Sequence, residues 1–350
     1  MKTVIGDLHL KPSNLAIAKQ LFDLIEHDDR FKESNHLILL GDVYDTKAII
    51  RSEAQNFLFN YLSSTRYEKI SIIVGNHDYE NLECQNSALD PLKYLNKVRL
   101  YNSQNIKFDY DDEDCLIAFI PYIHSNDVFI KILNENREQL KNTKYVFCHQ
   151  GFMGFDLGGG ILDDSGVDVT QLPQDVNFIV GHYHKSQSNG NVQYIGTPFS
   201  HSFGESNQQK QVFLIHNDTI KSVHTNLSQH YQMRYNSEIF IECNSDLEKL
   251  TLISDDLALS SINVKDSDSI SIIVECKKID QNKYSKEFFE SLLKIKIENL
   301  KIRYKFIDDT QLIRIDESIG IESMLFSYLT INKKESLMNE GMRYLKNAGL

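Results

Sequence analysis

Residues 37–45, Leu-Ile-Leu-Leu-Gly-Asp-Val-Tyr-Asp, most constrain how this chain can fold. Leu37, Ile38, Leu39 and Leu40 form an unbroken apolar run bounded by polar residues. A run this short and continuous reads as a strand buried on both faces of a layered α/β fold. It ends at Gly41, and the carboxylates Asp42 and Asp45 follow. Groups just past the carboxyl end of a buried strand stand where α/β sheets place their ligands. Gly-Asp is also an ordinary turn, so the stretch gains meaning only from what converges on it.

The same grammar recurs along the first 220 residues. Short apolar runs over 69–74, 145–148, 178–180 and 192–195 read as strands, and the first three stop at Gly75-Asn76-His77-Asp78, His149 and Gly181-His182-Tyr183-His184. Residues 1–5 form a strand-like start that leads into Gly6-Asp7-Leu8-His9, so the first residues are expected to belong to the fold. Helical spacing predicts helices over 15–25, 48–62 and 89–95, the last with Pro91 in its first turn. Residues 106–108 and 116–120 read as a hairpin around an acidic turn that lacks the spacing of a calcium loop, and 212–215 with 219–223 as a closing hairpin. Residues 152–166, rich in Gly and Asp, read as a long surface loop.

The pattern changes near residue 230. Strands are predicted over 239–243, 270–276 and 301–307, a helix over 285–300, and two amphipathic helices after 320. The expected division is a first domain over 1–230, a small α+β cap over 231–312 and a helical tail over 313–350. At 41% hydrophobic and 25% charged residues, 350 residues can bury a sizeable core without staples. Five scattered cysteines with no CxxC pair argue against a disulfide framework or zinc ribbon and fit a reducing, cytoplasmic setting. No apolar stretch approaches bilayer length, so no membrane partner is expected. The net charge of −12 argues against a free-standing nucleic-acid binder unless metals, a local basic face or a partner offset the repulsion.

The residues at the strand ends share one chemistry. Asp7, His9, Asp42, Asp45, Asn76, His77, His149, His182 and His184 supply carboxylate, imidazole and amide oxygen, the donors that manganese, iron or zinc accept. A set this large can hold two ions, and two ions roughly 3.5–4 Å apart can clamp the attacking and leaving oxygens of a phosphate ester. Any one of these residues alone reads equally well as a turn former or a structural histidine. Their joint placement does not. His27, His36, His124, His201, His216, His224 and His230 are read as surface or structural residues, with His124 and His201 the best placed for a role at the site's edge.

Asp7-Leu8-His9, Gly41-Asp42-Val43-Tyr44-Asp45, Gly75-Asn76-His77-Asp78, His149 and Gly181-His182-Tyr183-His184 together resemble the five signatures of the calcineurin-like metallophosphoesterases. Gly196-Thr197-Pro198 followed by Ser202-Phe203-Gly204-Glu205, with a small cap and helical tail behind, resembles the SbcD-type recombination and repair nucleases. The resemblance implies a β-sandwich flanked by helices. It implies one ion held by Asp7, His9, Asp42 and His184, and a second held by Asp42, Asn76, His149 and His182, with manganese the expected metal and Asp42 the bridge. His77 becomes the candidate general acid, and Asp45 is expected to accept a hydrogen bond from it and fix its tautomer, or else to cap the following helix. Some repair nucleases of the family carry histidine where Asp45 stands. The protein-phosphatase branch has Asp-Arg-Gly closing the second motif and Glu closing the third, whereas Thr46 and Lys47 follow Asp45 and the third motif ends in Asp78.

The resemblance therefore implies a DNA exonuclease and single-strand endonuclease, the nuclease subunit of a complex with an SMC-like coiled-coil ABC-type ATPase gripped by the tail. It also implies a homodimer paired through helices near the second and third motifs. The alternatives are a stand-alone phosphoesterase acting on small nucleotides or phosphoproteins, and a non-catalytic scaffold, which the complete ligand set disfavours. Lys301, Arg303 and Lys305 alternate with Ile302, Tyr304 and Phe306, so on a strand they form a basic face for DNA phosphates or simply a solvated one, with the second set facing the core.

Overall fold

The computed structural model describes residues 1–306 apart from 48, 112–113, 159, 207, 217–218, 229, 236–239, 243–251, 254–267, 277 and 294–298. The tail expected over 313–350, with the two helices predicted there, lies outside the described residues. In chain order the strands are β1 (Lys2–Ile5), β2 (His36–Leu39), β3 (Lys69–Ile73), β4 (Val98–Tyr101), β5 (Lys107–Tyr110), β6 (Leu116–Ile120), β7 (Tyr145–His149), β8 (Asn177–Gly181), β9 (Gln187–Asn189), β10 (Val192–Tyr194), β11 (Gln211–His216), β12 (Thr219–His224), β13 (His230–Tyr235), β14 (Phe240–Glu242), β15 (Leu252–Ile253), β16 (Ser269–Cys276) and β17 (Asn299–Phe306). The helices are α1 (Leu15–His27), α2 (Ser52–Ser64), α3 (Asn126–Glu135), α4 (Arg137–Leu140) and α5 (Lys286–Leu293).

Two six-stranded sheets carry the fold, ordered β12-β11-β1-β2-β3-β4 and β5-β6-β7-β8-β10-β9. The apolar run of β2 explains their stacking. Leu37 and Leu39 pack outward with Ala18, Leu21 and Ile25 of α1 and Leu58 and Leu62 of α2. Ile38 and Leu40 point the other way, into a core shared with Phe119, Phe147 and Ile179 of the second sheet. The far face of that sheet is covered by Phe129, Ile132 and Leu133 of α3. The result is helix, sheet, sheet, helix, the sandwich flanked by helices that the motifs imply. Each fully buried Leu or Ile contributes about 1.5–3 kcal/mol, so the strand that presents Asp42 is anchored from both faces.

Strands β1, β2, β3 and β4 run parallel, as do β6, β7, β8 and β10. Their carboxyl ends therefore share one edge in each sheet. The antiparallel pairs β5–β6 and β11–β12 are the two expected hairpins.

Several boundaries differ from the sequence reading. Helix α2 starts at Ser52, because Thr46 Oγ1 donates to the Ile49 carbonyl at 2.9 Å and Ile49 and Ile50 stay exposed in the preceding loop. The segment over 89–95 is a 3-10 helix, Asp90–Tyr94. Strand β4 and helices α3 and α4 were not read from the sequence at all. Within the helix predicted over 285–300, the described helix is α5, Lys286–Leu293, and Asn299 already belongs to β17.

The chain divides into two compact units, the first holding Met1–Gln232. The second holds most of a five-stranded sheet, ordered β15-β14-β13-β16-β17, whose buried Ile272 and Val274 come from β16. Phe289 of α5 is buried there against the Tyr235 ring, with centroids 5.5 Å apart. Lys301, Arg303 and Lys305 are exposed on β17, an edge strand of that sheet. Ile302 and Tyr304 are half-buried, but Phe306 is 46% exposed, contrary to the expectation that it faces the core. Among the described residues no helix is long and apolar enough to cross a membrane.

Candidate metal centre

The loops that leave β1, β2 and β3 are tied to one another by their backbones. His9 N donates to the Asp42 carbonyl at 2.9 Å and Leu10 N to the Val43 carbonyl at 2.8 Å. Buried Asp78 joins the second and third loops, its carboxylate accepting from Tyr44 N at 3.0 Å and Gly75 N at 2.9 Å. Gly75 is obligatory at this crossing, because a Cβ there would collide with the Asp42 amide nitrogen and Oδ1. The two sheets are stitched together at the same edge. His182 N donates to Asp7 Oδ1 at 2.8 Å, and His149 Nδ1 donates to the Leu40 carbonyl at 2.7 Å. His9, Asp42 and His182 adopt positive φ angles of 42°, 48° and 105°. Non-glycine residues held this way cost about 1–3 kcal/mol each and cluster at functional sites.

Those loops bring the predicted donors together. Asp42, His149 and His182 have ligand atoms mutually within 4.8 Å, and so do His9, Asp42 and His77. Asp42 is common to both groups. Asn76 Oδ1 lies 2.9 Å from both His149 Nε2 and His182 Nδ1, and His149 Nε2 lies 3.4 Å from Asp42 Oδ1. On the other side His9 Nε2 stands 3.0 Å from His184 Nε2 and 3.7 Å from Asp42 Oδ2. Buried Asp7 Oδ2 has no hydrogen-bond partner among the described residues. An orphaned carboxylate oxygen is costly to bury, and here it accompanies imidazole nitrogens aimed at one another. This donor set fits divalent cations of the manganese, iron or zinc type.

The electrostatics of the cluster follow from burial and from its mixed charges. Burial pushes the Asp7 carboxyl up to about 7 and that of Asp78 to about 7, with Asp42 adding to both. Burial would also raise Asp42, but the His149, His9 and His77 imidazoles beside it hold it below the usual carboxylate range. Burial opposes protonation of His149, yet Asp42 and Asp7 pull it up to about 9. Burial dominates at His182, lowered to about 3, and at His9, also well below its ordinary value.

His77 reaches Asp45, but through the main chain. Its Nδ1 donates to the Asp45 carbonyl at 2.8 Å, while the Asp45 carboxylate pairs with Lys11 Nζ at 2.9 Å. The carboxylate-to-imidazole bond expected from the sequence is therefore replaced by a carbonyl-to-imidazole bond. The loop folds back so that the carbonyl faces His77 and the side chain faces Lys11. A carbonyl only accepts, so Nδ1 carries the proton, and His77 Nε2 is the nitrogen left for the cluster. His77 N also donates to Asp42 Oδ1 at 2.8 Å.

At the rim, the His201 ring stands 5.3 Å from that of His9, and its Nε2 contacts the Asp7 carbonyl at 3.1 Å. Tyr122 lies 6.2 Å from the His182 ring and contacts His124 Nδ1 through its hydroxyl at 3.4 Å. The sequence reading missed the functions of Asp78 and Glu205. Glu205 Oε1 accepts from His184 Nδ1 at 2.8 Å. The only trace of it in the sequence is the segment after the last motif, with no spacing rule linking it to His184. Lys301, Arg303 and Lys305 belong to the second unit.

A profile of the calcineurin-like phosphoesterase family matches residues 3–207. The chain belongs to this family. Calcineurin-like phosphoesterases hydrolyse phosphoester bonds with divalent metal ions, which agrees with the donors gathered here. Among similar proteins, one of Invertebrate iridescent virus 6 named as a phosphoesterase, 244L, is 28% identical over 227 residues, 61% of this chain and 75% of its own. Exonuclease subunit 1 of Enterobacteria phage T4 is 23% identical over 333 residues, 91% of this chain and 88% of its own.

Proposed function

We propose that this calcineurin-like phosphoesterase is a two-metal DNA nuclease, acting as an exonuclease and a single-strand endonuclease. The observation that carries the reading is the span of its similarity to phage exonuclease subunit 1. That similarity covers 91% of the chain, whereas the phosphoesterase profile stops at residue 207. The second unit is thus part of what the two proteins share. Lys301, Arg303 and Lys305 on its edge strand are the assigned contacts for DNA phosphates, offsetting locally a net charge of −12. The subunit reading extends to a complex with an SMC-like coiled-coil ABC-type ATPase, gripped through the tail over 313–350. A homodimer is assigned to the outer face of α2, where Phe59 is 44% exposed although Leu58 and Leu62 are buried.

Asp7, His9, Asp42 and His184 would hold one ion, and Asp42, Asn76, His149 and His182 the other. When bound, two divalent ions, manganese in this reading, neutralise the phosphodiester and make water nucleophilic near neutral pH. The chain's own residues do the rest. Asp78 and the Gly75 crossing keep Asp42 between the two donor groups. His77, its Nδ1–H held by the Asp45 carbonyl, would as the imidazolium donate from Nε2 to the leaving sugar oxygen. Lys11 keeps the Asp45 loop in register through its ion pair.

The second reading is a stand-alone phosphoesterase acting on small nucleotides or phosphoproteins, favoured by the higher identity, 28%, to the viral phosphoesterase over 61% of the chain. One experiment separates the two. Purified protein with manganese is offered labelled single- and double-stranded DNA, bis(p-nitrophenyl) phosphate and p-nitrophenyl phosphate. The nuclease reading predicts DNA cleavage and phosphodiester hydrolysis, both abolished by His77→Ser with two manganese ions retained. Hydrolysis of the monoester alone would overturn it.

A further inference from the structure

Glu205 is a buried carboxylate outside the assigned ligand set, and both of its oxygens are committed. Oε1 accepts from His184 Nδ1 at 2.8 Å. Oε2 accepts from Lys210 Nζ at 2.6 Å, Thr197 Oγ1 at 3.1 Å and His201 N at 3.3 Å. The side chains of Glu205 and Lys210 are 8% and 2% exposed. An ion pair this dry stabilises a fold poorly, because desolvation offsets the attraction. Its arrangement around His184 gives it another use. Lys210 Nζ and Thr197 N also reach the His184 carbonyl, at 3.4 and 3.1 Å. The group grips His184 at both ends, ring and main chain.

We propose that Glu205, locked by Lys210, is a positioning residue of the metal centre. Carrying the proton on Nδ1 toward Glu205, His184 presents the lone pair of Nε2 toward His9 Nε2, 3.0 Å away. A carboxylate behind a ligating imidazole fixes its tautomer and ring angle and raises its basicity, and losing such a partner costs ten- to a hundredfold in metal affinity. Without Glu205 the ring is free to flip or to carry its proton on Nε2, which removes the lone pair from the site. This inference rests on the two-metal reading above.

The test uses the full chain, manganese alone and two variants. Glu205→Gln keeps an acceptor for His184 Nδ1 but leaves the Lys210 ammonium unpaired. Glu205→Leu combined with Lys210→Met removes both charges together and the acceptor with them, so folding does not depend on a lone buried charge. Calorimetric titration is expected to show two sites in the wild type. In the double variant the His184 site should weaken ten- to a hundredfold while the His149 site is unchanged, with Glu205→Gln intermediate. The 15N shifts of His184 in metal-free protein should move from the Nδ1–H tautomer toward a mixture in the double variant. A folded double variant with both affinities within twofold of wild type and an unchanged tautomer overturns the proposal alone. A wild type that takes up no manganese overturns the two-metal reading and the proposal with it.

Discussion

Replacing Gly75 with alanine adds one methyl group where the third loop crosses the second. The new Cβ would collide with the Asp42 amide nitrogen and with Asp42 Oδ1. Neither can step aside freely. The nitrogen is main chain in a loop already at φ 48°, and Oδ1 accepts from His77 N at 2.8 Å. Gly75 is itself held by Asp78 at 2.9 Å. Overpacking of this kind costs about 1–3 kcal/mol. For a unit of this size each kcal/mol lowers the melting temperature by about 2–4 °C, so a fall of about 2–12 °C is expected. The larger consequence is chemical. Asp42 belongs to both donor groups, so displacing it should weaken both metal sites at once. Differential scanning fluorimetry with and without manganese, alongside calorimetric titration, checks both effects. An alanine variant that melts within a degree of wild type and binds two manganese ions with unchanged affinity would refute the reasoning.

Two further outcomes concern stability rather than the site. Arg66 donates to four carbonyls, those of Glu26, Ser34, Ile25 and Phe31, at 3.1, 2.6, 2.9 and 2.8 Å, and so closes the end of α1. Arg66→Ala should cost about 2–4 kcal/mol in urea unfolding, with water replacing only part of what is lost, and Arg66→Lys should recover little because an ammonium cannot span the four acceptors. His36 is fully buried against Ser71 Oγ at 2.9 Å, and burial, aided by Lys69 and Lys2, lowers its pKa from 6.5 to about 3. Between those values the unfolded chain binds a proton that the folded chain refuses, so stability falls as pH drops below 6.5. At up to about 1.4 kcal/mol per pH unit, with the unfolded histidine only half protonated at pH 6.5, His36→Asn should remove about 2 kcal/mol of the loss between pH 6.5 and 4.5, read from chemical melts at the two pH values; an unchanged acid limb would count against this.

What the sequence disclosed follows from how each signal is carried. The strand of Leu37, Ile38, Leu39 and Leu40 was legible because burial on both faces leaves an unbroken apolar run. The candidate donors stood out because they follow such runs directly. Strand β4 escaped because Val-Arg-Leu-Tyr, with exposed Arg99, has neither a long run nor a clear alternation. Helix α3 rests on only three buried positions, Phe129, Ile132 and Leu133. A residue name cannot say whether the Asp45 carbonyl or its carboxylate faces the His77 imidazole; Lys11, a tertiary neighbour, takes the carboxylate. Glu205 closes the segment that resembles the SbcD-type nucleases, but no spacing rule ties it or Lys210 to His184, and only the folded chain shows both buried behind that imidazole.

In the proposed centre one carboxylate, Asp42, is shared by two metal sites. Manganese bound per chain, measured by elemental analysis after equilibrium dialysis of wild type and Asp42→Asn, tests it most directly. Two ions are expected in the wild type and loss of both together in the variant, with the fold intact by circular dichroism. A folded variant that loses one ion and keeps the other at wild-type affinity would contradict it.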